Sequence, residues 1–210
     1  MCIGIERQAR RHRPRAEHGI SLIELIVFIV IVGIAVAGVV GALSMATRAS
    51  ADPMIQKQAL AVAEALLEEV QLQPFTYCDP DDPQAATAQS AAEGAMGVGC
   101  STGGVEAIGA ESAAPYGPES RTSATNPYDN VNDYNSLPIM TGITDITGAP
   151  IPGLENYTAS VTVANQALGT IPAASGEAVL ITVTVDGPPG TNTKVVLDGY
   201  RVRYAPNALP

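Results

Sequence analysis

The chain predicts an α+β fold, with one long N-terminal helix packed on a C-terminal antiparallel sheet. Three observations carry that expectation. Residues 25–43 form an unbroken run of nineteen uncharged, mostly apolar residues. Residues 54–73 place Ile55, Ala59, Val62, Leu66 and Val70 at helical spacing, so one stripe is apolar. Finally, the last third of the chain alternates apolar and polar residues in short runs separated by turn residues.

The first half of the helix reads as a membrane span. Nineteen residues at about 1.5 Å each give about 28 Å, close to a hydrocarbon thickness of about 30 Å. Ahead of it, Arg7, Arg10, Arg11, Arg13 and Arg15 crowd the first nineteen residues and hold the N-terminus in the cytoplasm. Glu24 stands at the edge of the run, directly after Gly19-Ile20-Ser21-Leu22-Ile23. A carboxylate costs about 2.5–3.5 kcal/mol at the centre of a span, so one retained at its edge usually has a task. A plain signal anchor leaves that carboxylate unexplained. A secretory signal cut after Ala49-Ser50-Ala51 needs an apolar core of about 7–15 residues, shorter than this one.

Ser50-Ala51-Asp52-Pro53 reads as a helix restart, with Asp52 as the cap and Pro53 at the first helical position, or else as a kink. In the outer helix Leu60, Ala63 and Leu67 widen the apolar stripe, Gln56, Lys57, Glu64, Glu68 and Glu69 take other faces, and Pro74 ends it. Residues 79–125 are poor in large apolar side chains and predict a long loop. Asp79, Asp81 and Asp82, next to Pro80 and Pro83, read as a solvated acidic turn, since they lack the spacing of an EF-hand loop. Residues 126–135, rich in Asn and Asp, predict a hydrogen-bonded loop anchored by Tyr128 and Tyr134. Strands are expected over 157–164, 178–185 and 194–204, with a further edge strand over 139–146.

Composition excludes several functions. Past residue 19 the chain carries six basic and nineteen acidic side chains, a sum of −13, so nucleic acid is not an expected partner. Both histidines, His12 and His18, lie in the first nineteen residues; past them, Ser-His and Cys-His pairs and His-containing zinc sites are ruled out. No nucleophile elbow, Walker loop or dinucleotide fingerprint is present, and no enzyme is expected. Cys78 and Cys100 are the cysteines beyond the span, and an even pair outside the cytoplasm reads as a disulfide. No resident cofactor or metal is expected, with calcium coordination by Asp129 and Asp133 left open.

The segment from the basic leader through Gly19, Ile20 and Glu24 into the apolar run resembles the class III signal of type IV prepilins and pseudopilins. By that resemblance, residues 1–19 are a cytoplasmic leader, 20–49 a transmembrane and assembly helix, and 50–210 an exported pilin-like domain. Within that domain, 50–73 is amphipathic helix, 74–135 loop and 136–210 sheet, the pilin-like roll. Cleavage falls between Gly19 and Ile20, the Ile20 amine is methylated, and Glu24 is the assembly carboxylate. Ile20 stands where Phe or Met is more usual. Asp129-Asn130-Val131-Asn132-Asp133-Tyr134, the run from Ser50 to Pro80 and the ending LDGYRVRYA are similar to the MSHA pilus biogenesis minor pilin D group. What this implies is a minor pilin, a structural subunit or initiator of an MSHA-like type IV pilus. Its partners would be other pilin subunits, the prepilin peptidase, the inner-membrane assembly platform and membrane lipid. It would sit in the inner membrane as a single pass, then in the periplasm or a surface pilus. A type II secretion pseudopilin shares the same N-terminal chemistry, and a non-polymerising anchored adhesin or binding module is the reading from another class.

Overall fold

The computed structural model describes Gly19, residues 21–94 and residues 98–209, with the backbone alone for 46–52. Two units divide the chain, one ending at Arg48 and the other beginning at Ala49. Helix α1 (Leu22–Leu72) contributes to both. Pro53 lies inside α1, so of the two expectations, a restart or a helix running through the proline, the second holds. Proline within a helix removes one backbone bond, a cost of about 3 kcal/mol, yet the helix continues through it.

In the first unit, Leu22–Met45 is long and apolar enough to cross a membrane. Its 24 residues would span about 36 Å. Every described side chain in it faces outward, from Leu22 and Ile23 to Leu43 and Met45. A helix apolar on nearly every face, with its described side chains exposed, is suited to lipid or to other helices, not to water.

The second unit is α+β. Its sheet is antiparallel in the order β1 (Met140–Thr141), β2 (Thr158–Asn165), β3 (Ala178–Asp186), β4 (Lys194–Val202). Val161 pairs with Val183 and Ile181 with Gly199. Alternation puts Val161, Val163, Ile181, Val183 and Val185 on one face, where they are buried beside Ala59, Val62, Ala63, Leu66 and Val70 of α1. Full burial contributes about 1.5–3 kcal/mol for each such valine or isoleucine. Leu60 is exposed, off the expected stripe, because it lies about 100° round the helix from Ala59. The helix packs tightly over Gly199, where a Cβ would run into Leu67 and the Gln71 amide. A larger residue there would force the Gln71 and Leu67 side-chain tips to move.

Strand β1 is far shorter than the expected 139–146. Gly142 turns the chain at a φ of 77°, and the Asp145 carboxylate then accepts bonds from the amides of Thr147 and Ala149. That side-chain turn competes with the ladder and ends it. Strand β4 stops at Val202. Just beyond it Arg203 pairs with Glu177 at 3.2 Å and stacks over Phe75 at 4.2 Å, fixing the end of the sheet to the chain that leaves α1.

The loop between helix and sheet is ordered by its own small core. Cys78 and Cys100 are bonded, with Cα atoms 5.4 Å apart, and Ala85 and Ala88 pack around them. Replacing both cysteines with serine should lower stability by about 3 kcal/mol, the entropy released by opening a loop of this length. Hydrogen exchange is the check: amides of 79–94 should exchange faster while β2 and β3 keep their protection. Equal loss in both regions would mean that the bridge supports the whole domain instead.

Candidate functional site

Glu24 lies in the first turn of α1, where the Leu25 amide donates to the Ser21 carbonyl at 3.1 Å. Leu22, Ile23, Ile26 and Phe28 around it are all more than half exposed, so one carboxylate interrupts an apolar surface. Between Gly19 and Thr47 the chain has no Lys, Arg or His. A counter-charge for Glu24 has to come from elsewhere: the leader, a new amino terminus or another molecule. A Cβ at Gly19 would meet nothing within 4 Å. Among the described residues, no packing accounts for glycine at that position. Ile20 and the arginine-rich leader fall outside the described residues.

The comparisons with known proteins bear on this segment. Residues 14–40 match the family model described as the prokaryotic N-terminal methylation motif. That match supports a type IV prepilin-like protein, pilin or pseudopilin, anchored by its N-terminal helix. It also favours a structural subunit over an enzyme. No curated protein and no solved structure matches the chain.

In the second unit, the Asp129–Tyr134 segment has a structural task for most of its side chains. Residues Val131–Ser136 form a 3-10 helix capped by Asn130. The Asp133 carboxylate accepts bonds from the amides of Asp129 and Asn130 at 3.0 and 2.7 Å, and Asn130 donates to Thr76 at 2.7 Å. Val131 is buried, and the Tyr134 hydroxyl donates to Glu69 on α1 at 2.9 Å. Tyr128 meets Tyr134 edge-on at 5.2 Å. The motif thus pins the loop to the outer helix.

Two features were not read from the sequence. Arg121 reaches Glu69 with two bonds of 2.7 Å and also donates to the carbonyls of Thr144 and Asp145. Asp129 and Asp133 stand in a group of acids that includes Asp79, Glu106, Glu111 and Glu119. The expected solvated turn is therefore corrected: Asp79 and Asp82 are buried, and only Asp81 is exposed. Asp82 accepts bonds from the Ser101 amide and hydroxyl, both at 2.7 Å, which draws it under the loop. One sequence signal pointed this way. Residues 74–135 hold nine acids against one base, Arg121.

Proposed function

We propose that this chain is a minor pilin, a structural subunit or initiator of an MSHA-like type IV pilus. The observation that carries the reading is a methylation motif set on an outward-facing apolar helix with one carboxylate in its first turn. The leader, residues 1–19, is removed by a prepilin peptidase at the cytoplasmic membrane face. Cleavage leaves Ile20 as the new terminus, and its amine is methylated. The helix, residues 20–49, waits in the inner membrane and then leaves it for a bundle of like helices, while residues 50–210 stand outside.

Gly19→Val should block processing, because a branched side chain crowds an enzyme approaching the backbone. The variant should stay in the membrane at its full precursor mass. Mass spectrometry of the wild-type mature N-terminus decides the point: N-methyl-Ile20 is the expected species, and an intact leader in assembled material would refute it. A type II secretion pseudopilin would give the same terminus. Cross-linking in cells separates the two, by capture with pilus subunits or with secretion pseudopilins.

A further inference from the structure

We propose that the acidic pocket between the disulfide-bonded loop and the 3-10 helix is a calcium site, with Asp79, Glu106, Glu111, Glu119, Asp129 and Asp133 as its ligands. These carboxylates form overlapping groups. Oxygens of Asp79, Glu111 and Glu119 lie within 4.8 Å of one another, and so do those of Glu119, Asp129 and Asp133, and those of Glu106, Glu111 and Asp133. Asp81 joins Asp79 and Asp129 at the exposed rim.

Acids on a surface gather without purpose, but three of these are buried and the other three, Glu111, Glu119 and Asp129, are half-buried. Asp79 and Asp133 are 0 % exposed and Glu106 is 6 % exposed. Both Glu106 carboxylate oxygens, together with Asp79 Oδ2, Asp133 Oδ1 and Glu119 Oε2, are buried without a hydrogen-bond donor. A buried carboxylate oxygen with no donor is expensive, and several facing one another are more so. Among the described residues, the ion pairs are Arg121–Glu69, Lys194–Asp186 and Arg203–Glu177, and none engages this pocket.

The free oxygens are held in place by the bound ones. Asp133 uses Oδ2 to accept from the amides of Asp129 and Asn130, which leaves Oδ1 unpartnered. Asp79 uses Oδ1 to accept from the Asp81 amide at 2.7 Å, which leaves Oδ2 unpartnered. One oxygen orients each side chain and the other stays available, as in preorganised metal sites. Burial, and then the neighbouring carboxylates, raise Glu106 well above the ordinary carboxylate value, Asp129 to about 8 and Glu119 to about 9. A divalent cation reverses that electrostatic balance.

The donor set selects the ion. With oxygen donors only and neither His nor free thiol, the pocket suits a hard cation over zinc. Calcium takes six to eight oxygens in adaptable geometry, whereas magnesium demands a strict octahedron and keeps its waters. Ligands drawn from loop segments as far apart as Asp79, Glu106 and Asp133 favour the adaptable ion.

The test uses the full chain in detergent, titrated with calcium by calorimetry and melted in millimolar calcium or in EDTA. Saturable binding and a higher melting temperature in calcium are expected, with little change in equal magnesium. Glu106→Gln is the informative variant, since neither oxygen it alters makes a hydrogen bond. In EDTA it should melt at or above the wild type. In calcium it should bind at least about tenfold more weakly, the scale on which even supporting residues of metal sites act. Glu119→Gln should behave in the same way. Absence of saturable binding up to about 10 mM calcium, above the range of the weakest calcium modules, or an equal calcium shift in wild type and both variants, would overturn the site in favour of carboxyls that share protons.

Discussion

Glu24→Ala should enter the membrane and be cut after Gly19, yet fall by an order of magnitude or more in sheared filaments. The reasoning is electrostatic. A carboxylate costs about 2.5–3.5 kcal/mol at the centre of a span and less at its edge. The N-terminal dipole of α1 offsets about 0.3–1 kcal/mol of that. The remainder calls for a cation within reach, and residues 19–47 supply none. Cleavage would create one, the Ile20 amine. On a neighbouring subunit, that amine pairs with Glu24 only at one axial offset. An apolar helix face specifies such an offset poorly, since it packs almost equally well when shifted by a turn. Alanine removes the register signal and leaves insertion easier than before. Quantifying the variant in membranes and in sheared filaments tests this. Wild-type abundance in filaments would show that the carboxylate is neutralised on its own helix and has no part in assembly.

Arg121→Ala should destabilise the second unit by about 3–5 kcal/mol, the usual result of removing one partner from a buried ion pair. Arg121 and Glu69 are 6 % and 19 % exposed. Truncation strands the Glu69 carboxylate against α1 with the Tyr134 hydroxyl as its remaining described donor, and leaves the carbonyls of Thr144 and Asp145 short of a partner. One guanidinium joins α1, the loop and the segment after β1, so its loss is felt in all three. Lysine keeps the charge but not the two-pronged geometry, and Arg121→Lys should recover only part of the stability. Chemical denaturation of each variant is the measurement. A loss below about 1 kcal/mol for alanine would mean that water replaces the guanidinium at no great cost, as at an exposed pair.

The regular elements were legible in the residues because local periodicity sets them. Alternation over 178–185 and helical spacing over 54–73 each place one apolar face, and each face is buried in the expected sense. The short β1 shows where that logic ends. Ile143 is buried in the core as its apolar character suggests, but Gly142 and the Asp145 turn take its neighbours out of the ladder. Turn chemistry, and not hydrophobic pattern, decided that edge.

The N-terminal segment is the part determined by sequence alone. Charge, a glycine, one carboxylate and a long apolar run act over adjacent residues, so their meaning does not wait for folding. The acidic pocket and the Arg121–Glu69 pair belong to the tertiary structure. Asp79 and Asp133 are far apart along the chain, and each alone reads as an ordinary turn residue. Only the docking of the 3-10 helix against α1, through Tyr134, and against the chain that leaves it, through Asn130, brings them together out of water. Desolvation and mutual repulsion depend on distance and burial, two quantities that residue order does not contain.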